Sequence, residues 1–190
     1  DLDAITGTAN GAVSNLTINT TGVVTVAEAV GTDIGTVTIT QSGGTTFAST
    51  VGAATVAITD TADAAAVAFQ GNLTVGTAMT VAAQPYNVSI TGGTNTIAGT
   101  TTFNNSGTLT LGDGADTIAF TGGVVATAPS AINLNGTVSA AGTGVITLGD
   151  ANTGVAVGGN STVGGTSTGT ISMGDATLAD GVTLTVGTGA

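Results

Sequence analysis

The chain contains no lysine, arginine, histidine, cysteine or tryptophan among its 190 residues. With no base of any kind against eleven Asp and Glu, its formal net charge is -11. A purely anionic surface repels phosphate backbones and anionic lipid headgroups, which excludes nucleic acid and polybasic membrane docking as partners. The absence of cysteine removes both a disulfide framework and a thiolate metal site. Polysaccharide lyases need a Lys or Arg to lower a proton's pKa or act as base, and neither is present.

Aromatic residues are scarce at 3%, and charged residues make up only 6%. One Tyr and four Phe cannot build the two aromatic girdles of a membrane β-barrel. They also provide no platform on which a sugar could stack. No stretch approaches the ~18 consecutive apolar residues of a membrane helix. The opening Asp1-Leu2-Asp3 lacks the basic and apolar regions of a signal peptide, so the sequence reads as a mature form or a piece of something larger.

What is present is small and β-branched. Hydrophobic residues reach 41%, chiefly Ala and Val with some Ile and Leu. Such side chains suit a thin core, one or two residues across, of the kind found in a stacked solenoid. One phrase organises the chain: Gly107-Thr-Leu-Thr-Leu-Gly-Asp113, Gly144-Val-Ile-Thr-Leu-Gly-Asp150 and Gly169-Thr-Ile-Ser-Met-Gly-Asp175. Apolar and hydroxyl residues alternate and a Gly-Asp closes each copy, which predicts a half-buried strand followed by a tight turn. Weaker copies lie at 54–60 and 35–40. Copies are followed by a second strand, as at 118–122, 154–158 and 182–187.

Further apolar triplets at 73–75, 79–81, 88–90 and 132–134 bring strand cores to every ~6 to 13 residues, so three short strands fill a coil of roughly 20 to 25. The last two phrases are 25 residues apart, one coil; the first two are 37 apart, which is not a whole number of coils. Either an insertion intervenes or the phrase sits on different faces. Pro85 and Pro129 fall in segments, 84–87 and 127–130, that read as loops leaving the stack. Fold class is therefore all-β: one domain, 1–190, a parallel β-helix of about eight irregular coils with open ends. Residues 1–34 read as an N-terminal cap or a strand-donating segment. At ~4.8 Å per coil the rod is roughly 40 Å long.

The repeats at 107–122, 144–158 and 131–138 resemble those of large secreted bacterial surface proteins, the filamentous haemagglutinin-like exoproteins and autotransporter passenger domains. The resemblance implies a right-handed parallel β-helix outside the cell, in an adhesin stalk or surface filament. A related implication is a bacterial S-layer subunit, forming calcium-dependent sheets.

Candidate chemistry is confined to acids. Asp113 with Asp116, and Asp60 with Asp63, are close pairs within the repeats; both read first as turn caps, and no catalytic residue is expected. Residues 112–118 fit the G-x-G-x-D-x-U core of a calcium β-roll, which makes Asp113 and Asp116 the leading calcium candidates and Asp60 and Asp63 the second. A single copy lacks the neighbouring turn that would complete such a site, and no other cofactor is expected. Thr-x-Thr at 36/38, 108/110 and 183/185 would suit an ice- or carbohydrate-binding face only if the pairs recurred coil by coil. Sequons open at Asn15, Asn19, Asn72, Asn87, Asn104, Asn135 and Asn160, consistent with an extracellular location. The expectation is a non-catalytic structural protein whose partner is itself, through end-to-end or strand-edge contacts.

Overall fold

A computed structural model describes residues 1–188 of the chain. It is all-β: twenty-one strands and no helix among the described residues. Every strand pairing is parallel, and partners lie one coil apart in sequence. The result is a β-solenoid of about eight turns with three faces. Face A carries Val24–Val26, Thr45–Phe47, Ala66–Phe69 and their successors to Ala176–Leu178. Face B runs from Ile5–Thr6 and Val30–Gly31 to Leu184–Thr188. Face C runs from Ser14–Asn19 and Ile34–Gln41 to Ile171–Met173. Some strands turn a corner without a break, as Val51–Ile58 does between faces B and C.

Alternation of inward and outward residues explains why these sequences form these strands. Each inward position stacks on its equivalent one coil on. On face A the column runs Val26, Phe47, Phe69, Ile90, Leu111 and Leu134. Phe47 and Phe69 stack with ring centroids 5.1 Å apart, and Phe103 meets Phe120 edge to face at 5.9 Å. All four Phe are fully buried, so the few aromatics fill the middle of the rod. A slip of one residue would turn a whole strand inside out, and this holds the register.

The uneven spacing of the repeated phrase has a simple geometric cause. Its first copy lies on face A, with Leu109 and Leu111 pointing inward. The second and third lie on face C, where Ile146 pairs with Ile171 and Leu148 with Met173. Between these two runs one coil; between the first two runs one coil and a change of face. The same local pattern serves any face, because each needs only a strand and a corner.

Two expectations about loops need correction. Segment 84–87 does not leave the stack: Tyr86 is 0% exposed, and its hydroxyl donates to the carbonyls of Ala82 at 3.0 Å and Ile58 at 3.3 Å. In segment 127–130 the Pro129 carbonyl accepts a 2.7 Å hydrogen bond from Thr153 Oγ1, and the Thr127 carbonyl accepts another from the same hydroxyl at 3.0 Å. Both prolines sit in corners tied to the stack, where a missing N–H breaks no ladder. Residues 1–34 contribute four strands, paired in parallel with the next coil.

Candidate functional site

The phrase at 107–113 runs into the longest bulge of the described rod. Leu111 pairs with Leu134 and Asp116 with Gly136, so residues 112–115 stand against Asn135 alone. They are pushed outward at the corner between faces A and B. Gly112 makes the turn with φ 79°, and a Cβ there would collide with the Asn135 carbonyl oxygen. Gly114 has open space around it. The bulge brings Asp113 and Asp116 together, and the Asp113 N–H donates to Asp116 Oδ2 at 2.8 Å. Residual burial, together with the hydrogen bond and negative charge of Asp116, holds the Asp113 carboxyl above its ordinary range.

Asp60 and Asp63 occupy a different corner, between faces C and A, in the segment joining Val51–Ile58 to Ala66–Phe69. The solenoid therefore does not unite the two acidic pairs in one site. That corner is organised by hydroxyls: Ser42 and Thr61 Oγ atoms are 2.7 Å apart, and Thr45 Oγ1 donates to Ser42 at 3.0 Å. Among the described residues no group of three or more acidic or other metal-ligating side chains converges. The three Gly-Asp turns also differ in use. Asp150 Oδ1 accepts the N–H groups of Asn152 and Thr153 at 2.8 and 3.0 Å, a turn cap of the expected kind. Asp175 is exposed at the last such corner.

The Thr-x-Thr pairs at 36/38, 108/110 and 183/185 fall on faces C, A and B respectively, so they form no common ladder. A groove of about 570 Å³ lies on face A, along Thr110, Asn133, Ala156 and Thr177, with Asp113 at its rim. No buried charged or convergent polar group faces it, whereas small-molecule sites are usually concave with a few convergent polar groups.

Asparagine carries a role that sequence patterns did not reveal. Asn15, Asn72, Asn87 and Asn160 each accept the backbone N–H of a Thr one coil on, at 2.8, 3.0, 2.7 and 2.9 Å. Asn104 Nδ2 donates to the Val81 carbonyl at 3.1 Å. These sequon asparagines are clasps between coils. Asn95 goes further: it replaces an apolar residue in the inner column of face B and is 1% exposed, with Oδ1 accepting Leu73 N–H at 3.0 Å and Nδ2 donating to Gly92 and Thr117 carbonyls. The recurrence of Asn roughly one coil apart was the available signal.

No protein-family model matches the chain, and neither the curated proteins nor the solved structures include a match.

Proposed function

We propose that this chain is a non-catalytic structural segment of an extracellular surface fibre or adhesin stalk, extended end to end by copies of itself or by further coils. The observation that carries this reading is the open end of the three parallel ladders. Ile171–Met173, Ala176–Leu178 and Leu184–Thr188 have no strand on their outer side among the described residues. Leu178 and Val186 belong to inner columns, yet they are 42% and 51% exposed. At the opposite end Leu2 is 40% exposed in the same column as Leu178. Both ends present the same three faces with strands in the same direction. Another coil set placed there would continue the backbone ladders and cover the apolar columns.

The same reading accounts for the composition. A carboxylate-only side-chain chemistry gives little purchase for catalysis, and a chain without Lys or Arg offers trypsin-like proteases no site, which suits exposure outside a cell. Negative-stain microscopy of the purified chain, with and without a calcium chelator, tests the proposal. Filaments that persist under chelation are the expected outcome. Isolated particles under every condition contradict self-assembly, and sheets that need calcium favour the S-layer alternative.

A further inference from the structure

Glycine directly follows asparagine at two places, Asn10-Gly11 and Asn135-Gly136; every other Asn precedes a residue with a side chain. The pairing has a chemical consequence. The Asn side-chain amide is an electrophile within reach of the next main-chain nitrogen, and glycine leaves that nitrogen unshielded. Asn is accordingly among the thermolabile residues of proteins. Attack asks three things of the fold: a main-chain N–H with no other partner, a side chain free to turn, and a backbone free to follow it.

The solenoid meets these conditions at one site and denies them at the other. Asn10 and Gly11 lie at the corner between faces B and C, in the segment joining Ile5–Thr6 to Ser14–Asn19. The rod holds this segment at its roots, where Gly7 N–H donates to the Thr32 carbonyl at 2.8 Å and Ser14 N–H to the Asp33 carbonyl at 3.0 Å. Between the roots, residues 8–13 are all exposed and pair with no strand. Neither Asn10 nor Gly11 has a hydrogen-bond partner among the described residues. Asn135-Gly136 is the reverse case. It stands in the strand Ala131–Ala140, against the bulge at 112–115. Gly136 is buried, and its N–H donates to Ser161 Oγ at 3.2 Å. The Asn135 amide fills the space that a Cβ on Gly159 would take. Here the nitrogen is occupied and the side chain is wedged.

We propose that Asn10 is a site of spontaneous modification, deamidating through a cyclic imide while the chain stays folded, and that the ladder protects Asn135. The Gly11 nitrogen gives up its proton and bonds to Asn10 Cγ; the Cγ–Nδ2 bond breaks and ammonia leaves. Water then opens the imide at either carbonyl, giving aspartate or β-linked isoaspartate, with no oxidant or reductant involved. The first coil thereby gains one negative charge beyond the parent -11, at the corner where Asp33 stands. The extra main-chain methylene of isoaspartate falls in a segment that carries no ladder, so the stack is kept. The inference does not depend on the fibre reading, because it concerns one rod alone.

Ageing the chain in mildly alkaline buffer tests it, with conversion located by top-down mass spectrometry and isoaspartate read by enzymatic methylation. Three samples are compared: the folded chain, a Gly11→Val variant, and the unaltered chain in denaturant. Circular dichroism establishes that the first two retain the β fold. In the folded chain Asn10 should convert at least about tenfold faster than Asn135, because a hydrogen-bonded amide reacts only when it opens. Gly11→Val should lose conversion at Asn10, and in denaturant the two sites should convert alike. An Asn10 that stays amidated in the folded chain overturns the proposal. So do equal rates at the two sites in the folded chain, undiminished conversion in Gly11→Val, or an Asn135 that stays slow in denaturant.

Discussion

A solenoid without tryptophan leaves Tyr86 as its only tyrosine and hence a clean reporter of the interior. Burial pushes its phenol up from the ordinary 10.0 to about 12, and the negative charge of Asp60 adds to the rise. The folded state thus binds the phenolic proton more tightly than the unfolded chain does. That contribution to stability is fully present below pH 10 and is lost as pH rises through about 12. Phenolate absorbance should appear near pH 12 in the native protein, and the melting temperature should fall across the same interval. Ionisation at the ordinary 10.0 with no loss of stability would contradict the buried position.

At the scale of the element, strands were legible and corners were not. Alternation at 107–111 and 144–148 revealed both strands, because a half-buried strand needs only period-two patterning. That pattern says nothing about which face a strand lies on, so the spacing of 37 could not be resolved without the ladders. Tyr86 was concealed by its neighbours: Gln84 and Pro85 are both exposed, while the ring turns back into the core. Asn95 was hidden for the opposite reason: a polar residue at an inward position breaks the pattern, and only its three hydrogen-bond partners explain it. The acidic pair at 113 and 116 was visible in the sequence, and the bulge that brings the two together was not.

That bulge makes a paired prediction. Gly112→Ala places a methyl against the Asn135 carbonyl at φ 79°, and should destabilise the rod by about 1–3 kcal/mol. Gly114→Ala meets open space and should stay within about 0.5 kcal/mol of the parent. Denaturant titration of the two variants measures the difference. Equal effects would mean that the corner is not held in this conformation.

Over the whole molecule, stability is distributed along one dimension, each coil contacting chiefly its neighbours. Because Val51 stacks on Leu73, deleting residues 51–72 removes one coil and rejoins every column. Such a protein should keep a cooperative β transition, seen by circular dichroism, with a shorter rod. Deleting 51–61 alone removes half a coil and sets the later strands against the wrong faces, so that chain should fail to fold. A fold that survives both deletions equally well would not be a register-locked stack.

Fibre extension assumes that equivalent backbone positions recur once per coil along a straight ladder. The natural absence of cysteine allows this to be measured with two spin labels, at Thr17→Cys and Ser172→Cys, on the outward side of face C in its first and last coils. Seven coil steps of about 4.8 Å place their backbones about 34 Å apart. A single narrow distance distribution centred near that value is expected from pulsed electron spin resonance on dilute monomer. A broad distribution, or one centred below about 20 Å, would contradict the stacked rod.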